Sequence, residues 1–372
     1  MWFSRVYRNV PRRQPNRVAL VWHEAYAQRG FSSMRPTWSR YSASYEAFAA
    51  FGLLDRIQVH RPEPASITDL TTVHPLEFVD WVRRLDAEGT GFFDRADTPV
   101  WPGVYRRATL AVAGTALAVS LVASGQATCA FNPAGGLHHA HRERVSGFCI
   151  FNDLVVAVRR LQREPGLRRI AVIDLDGHHG DGTEALLAAE PILTISLHQY
   201  DGRFFPGTGA AGDHGVGTGQ GYHVNLPLPR NTGDRAYLEA FDEVVVPLVR
   251  SYHPELILVQ FGVDGHFGDH LVALRLTTHA YERLVEGLLD LADELCAGRL
   301  VFTGGGGYQP HNVARIWTLL LGHLTGEIHG AAASAYDTLR DREAPREDPA
   351  ATATARRAVD QVRHLVLSAH GL

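Results

Sequence analysis

Short apolar runs alternate with longer segments in which apolar residues recur at helical spacing along most of the chain. The runs that predict β-strands are Val18–Trp22, Thr128–Phe131, Arg169–Asp174, Ile192–Leu197, Leu256–Phe261 and Leu300–Thr303. The segments that predict helices are Thr109–Ala123, Leu154–Arg163, Arg235–Ser251, Ala280–Ala297, Asn312–Leu324 and Arg356–Ser368. Because strands and helices alternate, the pattern predicts an α/β fold with a mainly parallel sheet flanked by helices on both faces.

The length and composition fit one large core. The chain has 372 residues, of which 45% are hydrophobic and 20% are charged, as in soluble globular proteins. The sequence predicts a single catalytic domain over residues 18–340. Residues 1–17 form an N-terminal extension, and residues 341–372 form a linker rich in Ala, Pro, Arg and acidic residues, followed by a final helix.

The charge and cysteine content exclude several classes of protein. A net charge of -4 gives no basic field for nucleic acid. The uncharged stretch 108–137 is split at Gly125, which favours a buried helix and strand over a membrane span. The first 17 residues lack the apolar region of a secretory signal. Three scattered cysteines fit a reducing compartment, so we expect a cytoplasmic protein.

The densest polar cluster follows the strand predicted at 169–174. Asp174, Asp176 and His178 alternate with other residues, so they share one face while the chain stays extended. Polar residues often close a turn after a strand, which would explain Gly180 to Gly182. It would not explain Asp174 inside the strand, because a buried carboxylate needs a partner. Since His and Asp are standard zinc ligands, the cluster predicts a metal site.

A second polar turn follows the strand predicted at 256–261. It contains Asp264, which would lie beside the first cluster if the two strands are near neighbours in the sheet. Alone this aspartate is a weak signal, since Asp before Gly is common in turns. With Asp176 and His178 it completes three protein ligands and leaves a fourth position for water, as catalytic zinc requires.

Two further motifs suggest acid/base and oxyanion chemistry. His138 and His139 follow two glycines, and Asp174 and Asp181 are available to orient them as two His/Asp dyads. Four glycines precede Tyr308, without the Gly-Lys-Ser or Gly-Lys-Thr of a phosphate-binding loop. We therefore expect this loop to bring the Tyr308 hydroxyl to a developing oxyanion.

Together these four motifs resemble the histone deacetylase family, which includes the bacterial acetoin-utilisation deacetylases and shares its fold with arginase. The resemblance spans roughly Val18–Leu324 in motif order. It implies one zinc ion, with Fe²⁺ or Co²⁺ as alternatives, held by Asp176, His178 and Asp264, and it makes Tyr308 the oxyanion-stabilising residue.

The same resemblance assigns roles to the histidines. It makes His139, paired with Asp181, the general base and then the general acid. It makes His138, paired with Asp174, an electrostatic partner. The reaction it implies is hydrolysis of an N-acyl amide, most simply acetyl-lysine in a protein or peptide, to give acetate and a free amine.

The resemblance also implies a substrate tunnel and a second ion. The residues it places along the tunnel are Asp97, Gly147, Phe148, Phe205 and Leu271. It places Arg40 behind the acetate pocket. The residues it implies for a structural potassium ion are Asp174, Asp176, His178, Ser196 and Leu197.

The sequence is compatible with several functions. Leu271 at the tunnel mouth, where an acidic residue would favour a cation, argues for acyl-lysine over an acetylpolyamine or another small N-acyl amine. An arginase-like enzyme with two manganese ions would need a further bridging carboxylate at the Asp264 motif, which offers one aspartate. A non-catalytic binder of acylated ligands would be expected to lack His139 or Tyr308, and both are present.

Overall fold

The computed structural model describes residues 16–28, 37–95, 97–163, 167–331, 333–366 and 370. Residues 1–15 of the predicted N-terminal extension and Ser368 at the end of the predicted last helix lie outside the described residues. The strands are β1 (Val18–Val21), β2 (Gln58–His60), β3 (Cys129–Asn132), β4 (Ile170–Asp174), β5 (Leu193–Gln199), β6 (His223–Leu228), β7 (Leu256–Gln260) and β8 (Leu300–Thr303).

These strands form one eight-stranded sheet in the order β2-β1-β3-β8-β7-β4-β5-β6, and every neighbouring pair is parallel. The predicted parallel sheet is confirmed. Two of its strands were not predicted, for a physical reason in each case. Strand β2 lies at an edge and is largely exposed, and β6 carries His223, Asn225 and Pro227. Neither is a short apolar run.

Helices cover the sheet. The α-helices are α1 (Thr37–Ala50), α2 (Ile67–Leu70), α3 (Leu76–Glu88), α4 (Val104–Ala123), α5 (Asp153–Arg163), α6 (Asp181–Leu187), α7 (Asp234–Ala240), α8 (Val246–Tyr252), α9 (Thr278–Cys296), α10 (Pro310–Thr325), α11 (Ala333–Tyr336) and α12 (Pro349–Val366). The 3₁₀ segments are Glu24–Ala27, Leu53–Asp55, Gly217–Gly219, Glu327–His329 and Asp337–Leu339.

The helix predicted over 235–251 is interrupted, because a π-helical turn (Phe241–Val245) separates α7 from α8. The last helix begins seven residues earlier than expected, at Pro349 instead of Arg356, and it packs on β6 and α7. The domain boundaries at residues 17 and 340 stay a prediction.

The core lies on both faces of the sheet. Along β1, Val18 and Leu20 belong to one apolar cluster, whereas Ala19 and Val21 belong to another. Because successive strand residues point to opposite faces, the two clusters lie on the two sides of the sheet. Helix α4 is long and apolar enough to cross a membrane, but 67% of its most apolar window is buried against the rest of the chain. It is therefore a core helix of this fold.

Candidate active site

Four polar loops meet at one edge of the sheet. They follow β3, β8, β7 and β4, which are consecutive neighbours in the strand order. Because all strands are parallel, the four loops leave from the carboxyl ends of the strands, where open α/β sheets bind ligands. Motifs far apart in the sequence therefore come together at a single site.

The predicted metal ligands form a tight buried cluster. Asp176, His178 and Asp264 each offer one ligand atom, and these atoms all lie within 4.8 Å of one another. The Nδ1 atom of His178 is 3.1 Å from Asp176 Oδ1 and 2.9 Å from Asp264 Oδ2. Among the residues that the structure describes, this is the one such group of three or more His, Cys, Asp or Glu side chains.

The electrostatics of this cluster fit a cation. Burial disfavours a charged imidazole, but the carboxylates of Asp176 and Asp264 outweigh burial and raise the pKa of His178 to about 10. Burial and the neighbouring charge of Asp176 raise the pKa of Asp264. Two buried carboxylates aimed at one point repel each other unless a positive charge compensates them. The donor set is also one that zinc prefers.

Backbone and amide groups hold the two carboxylates in place. Asp176 Oδ2 accepts hydrogen bonds from Gln260 Nε2 and from the Gly306 N–H, both at 2.7 Å. Asp264 Oδ1 accepts from the Gly177 N–H at 2.7 Å. A Cβ atom on Gly306 would lie 2.3 Å from Asp264 Oδ2. The loop after β8 therefore requires glycine where it passes over the ligands.

Two His/Asp pairs lie beside the cluster. His138 Nδ1 is 2.7 Å from Asp174 Oδ2, and His139 Nδ1 is 2.7 Å from Asp181 Oδ1. The Nε2 atoms of the two histidines are 3.0 Å apart. All four side chains are buried.

The environment gives the two histidines opposite pKa shifts. Burial opposes protonation of His138, but Asp174 and Asp176 outweigh it and raise its pKa to about 9. Burial and the charge of His138 lower the pKa of His139 to about 3, despite its bond to Asp181. Near pH 7 the pair therefore carries one positive charge, on His138, and His139 is the neutral partner with a free lone pair for a further proton.

The Tyr308 side chain lies at the same point. It lines an inner cavity together with His139, Asp176 and His178. Its backbone N–H donates to Asp269 Oδ2 at 2.7 Å, which fixes the loop after β8. Burial and the charges of Asp264 and Asp176 raise the pKa of the Tyr308 hydroxyl well above its ordinary value. The group stays protonated and can donate a hydrogen bond.

An outer cavity of about 280 Å³ leads from the surface to this point. Every tunnel residue expected from the sequence lines it, and the full lining is Asp97, His139, Gly147, Phe148, His178, Phe204, Phe205, Leu271 and Tyr308. A Cβ atom on Gly147 would lie 2.4 Å from His139 Cδ2, so glycine is needed there. Phe148, Phe204, Phe205 and Leu271 give this cavity an apolar part of its wall, which suits an extended aliphatic chain.

Phe204 was not assigned a role from the sequence. Its ring stacks on His178, with centroids 5.1 Å apart and an interplanar angle of 15°, whereas Phe205 contacts His139 edge-on at 4.9 Å. The adjacent Phe204-Phe205 pair was the available signal, but which ring faces which histidine depends on the path of the loop after β5.

The residues expected to hold potassium lie in β4, in the loop that follows it, and in β5. Asp174 and Ser196 are paired across the two strands, and Ser196 Oγ is 2.9 Å from His198 Nδ1. The Tyr237 hydroxyl donates to the Leu197 carbonyl at 3.3 Å. The potassium assignment stays a prediction.

The segment expected to be a linker contributes a buried support for the Asp264 loop. Asp341 Oδ2 is 2.9 Å from His266 Nε2 and accepts from the Thr278 N–H at 2.8 Å. Its other oxygen accepts from Arg315 at 2.7 Å. His266 is two residues beyond Asp264, so Asp341 anchors the loop that carries this ligand.

Replacing Asp341 by alanine is expected to lower the free energy of unfolding by about 3 kcal/mol, because it leaves buried donors and a buried arginine without their carboxylate. Urea denaturation measures this loss. Asp337→Ala removes an exposed carboxylate that pairs with Arg340 and serves as the control, with an expected loss below about 1 kcal/mol.

The pairing with His266 and Arg315 outweighs burial and holds the pKa of Asp341 well below its ordinary range. The contribution of Asp341 to the free energy of unfolding is therefore present above about pH 4 and is lost as the pH falls further. Equal losses for both variants at pH 7 would contradict the anchoring role.

The comparisons with known proteins agree with this geometry. The family model described as "Histone deacetylase domain" matches residues 35–324. The chain is 36% identical over 317 residues to the acetoin utilization protein AcuC of Bacillus subtilis, covering 82% of each chain. It is 34% identical over 294 residues to a histone deacetylase-like amidohydrolase of Pseudomonas aeruginosa, covering 78% of this chain and 75% of the relative. The crystal structure of the HDA15 HD domain superimposes with a TM-score of 0.82 at 26% identity, covering 95% of this chain and 97% of the other.

Proposed function

The chain belongs to the histone deacetylase family, and we propose that it is a zinc-dependent hydrolase that removes the acetyl group from acetyl-lysine in peptides or proteins. The observation that carries the proposal is the meeting of the three-ligand cluster, the two His/Asp dyads and Tyr308 at the inner end of one tunnel. An acetyl-lysine side chain is long and apolar up to its amide, which matches the tunnel's walls.

Asp176, His178 and Asp264 are the residues that would hold the zinc ion. Zinc bound there supplies a Lewis acid that polarises a carbonyl and lowers the pKa of a water molecule to about 7. A single buried cluster among the described residues supports one metal ion over an arginase-like pair.

The protein's own groups account for the proton transfers. His139 is neutral near pH 7 and takes the proton of the attacking water at Nε2, because Asp181 holds its Nδ1. The Tyr308 hydroxyl donates to the oxygen on which negative charge develops. His139 then protonates the leaving amine, while His138 and Asp174 hold the charge beside it.

We extend the proposal to a structural potassium ion at Asp174, Asp176, His178, Ser196 and Leu197, which the pairing of β4 with β5 supports. We also propose a cytoplasmic location, supported by a content of three cysteines, which is too low for a disulfide framework.

We expect acetyl-lysine peptide to be hydrolysed with a higher kcat/KM than an acetylpolyamine, because Leu271 at the tunnel mouth is neutral. The Leu271→Glu variant should shift the ratio of the two kcat/KM values toward the polyamine by about fivefold, as an exposed ion pair of about 1 kcal/mol would give. Leu271→Gln is the matched neutral control. If acetate were released from the acetylpolyamine but not from the peptide, the substrate would be a small N-acyl amine instead of acetyl-lysine. No release from either would contradict deacetylation itself.

A further inference from the structure

A second, inner cavity continues from the catalytic groups into the protein. Its volume is about 60 Å³, room for about four to six water molecules. It shares His139, Gly147, Phe148, His178 and Tyr308 with the outer tunnel. When the carbonyl of an acyl group reaches the catalytic groups through the tunnel, the part of the acyl group beyond the carbonyl therefore faces the inner cavity.

Two arginines line this inner cavity. Arg40 comes from α1 and Arg107 from α4, and both belong to the lining. Arg40 is buried, with 8% of its surface exposed. Its Nη1 donates to the Gly307 carbonyl at 3.0 Å and its Nη2 to the Tyr41 hydroxyl at 2.9 Å. Arg107 also interacts with the Tyr41 hydroxyl, so Tyr41 links the two guanidinium groups.

The groups around Arg40 compensate its positive charge only in part. Within the part of the chain that the structure describes, its buried Nε–H has no hydrogen-bond acceptor. Among the described residues, no carboxylate lies within ion-pair distance of Arg40. The carboxylate of Asp176 attracts it over a longer range, but this carboxylate is also a ligand in the metal cluster. A buried cation with an open donor is costly unless an anion approaches it.

Burial lowers the pKa of Arg107, and the charge of Arg40 acts in the same direction. An anion bound between the two arginines would relieve this repulsion. Guanidinium groups bind carboxylates with particularly good geometry, through two parallel N–H donors.

We propose that the inner cavity binds the terminal carboxylate of a short dicarboxylic acyl group, so that the enzyme hydrolyses malonyl-lysine or succinyl-lysine in addition to acetyl-lysine. This inference rests on the proposed function, because it places the acyl carbonyl at the same catalytic groups. Beyond the carbon that corresponds to the acetyl methyl, a malonyl group adds the three heavy atoms of a carboxylate and a succinyl group adds one more methylene. Both additions suit a cavity of this size.

The reaction balances as amide hydrolysis. Water forms a new C–O bond at the acyl carbon, the C–N bond breaks, and the amine leaves as a protonated lysine. The products are free lysine and the malonate or succinate dianion. The acetate released from acetyl-lysine would also carry one carboxylate into this cavity. Binding of this product alone is therefore the competing explanation for the two arginines.

The test includes one pair of substrates that differ only in charge. The purified zinc enzyme is given peptides that carry acetyl-, malonyl-, succinyl- or succinamoyl-lysine, the last being the neutral amide counterpart of succinyl-lysine. We expect kcat/KM for succinyl-lysine to exceed that for succinamoyl-lysine at least tenfold. Arg107→Met, which keeps an unbranched side chain but removes the guanidinium group, should lower this ratio at least tenfold. Arg142→Met, at an exposed arginine, should leave it unchanged.

The outcomes separate the two proposals. Hydrolysis of acetyl-lysine with no preference for succinyl- over succinamoyl-lysine would overturn the dicarboxylic acyl site alone and assign the arginines to product binding. Failure to hydrolyse any of the four peptides would overturn the proposed function as well. The comparison on the wild-type protein decides the question even if the Arg107 variant does not fold.

Discussion

Replacing Tyr308 by phenylalanine is expected to lower kcat for acetyl-lysine hydrolysis by about 10²- to 10³-fold, with little change in KM. In the proposed mechanism the hydroxyl donates to the developing oxyanion, and the raised pKa of Tyr308 keeps its proton in place. The backbone bond from Tyr308 to Asp269 does not involve the hydroxyl, so the loop should retain its conformation. Steady-state kinetics on a single acetyl-lysine peptide measures the effect.

Tyr336→Phe is the matched control for this variant. The Tyr336 hydroxyl is also buried, but among the described residues it has no hydrogen-bond partner, and it lies in a separate apolar cluster with Leu319, Ile328 and Leu339. Its removal is expected to leave kcat within about twofold of the wild-type value, as for a change away from the reacting atoms. If Tyr308→Phe behaved like Tyr336→Phe, the tyrosine would have no part in the reaction.

The polar ends of the strands made much of the site predictable. Asp174 stands inside an apolar strand, and His138, Asp264 and Tyr308 each follow glycines after such a strand. These patterns violate what a core or a simple turn requires, so they are visible in the sequence. The parallel sheet was equally predictable, because most of its strands are buried on both faces and appear as continuous apolar runs.

Partners contributed by other strands were not predictable in the same way. Gln260, which holds Asp176, is an unremarkable residue at the end of β7, and 84 positions separate the two. Its contact exists because β4 and β7 are neighbours, and strand order cannot be deduced from periodicity. The same holds for Asp341, which reaches His266 from a segment whose composition resembles a linker, and for Arg107, whose place on α4 beside Arg40 depends on helix packing.

The Asp264→Asn variant is expected to lose nearly all activity and the ability to be stabilised by zinc. Loss of a residue that merely orients a metal ligand costs about 10- to 100-fold, so loss of a ligand should lower kcat/KM by more than about 100-fold. Metal analysis should show about one zinc per wild-type chain and much less in the variant. At a zinc concentration 100 times its Kd, the wild-type protein should gain about 2.7 kcal/mol in unfolding free energy, and the variant almost none.

The metal-free proteins provide the sharper comparison. In metal-free wild-type protein, the Asp264 carboxylate is disfavoured by its burial and by the neighbouring charge of Asp176, and both raise its pKa. The asparagine is neutral, and its carbonyl oxygen can still accept from the Gly177 N–H. Without metal, we therefore expect Asp264→Asn to be at least as stable as the wild type. The control Asp360→Asn, at an exposed site, should change neither zinc binding nor the stability of the metal-free protein. A carboxylate retained only for structure would behave in the opposite way: its replacement would destabilise the metal-free protein and leave zinc binding intact.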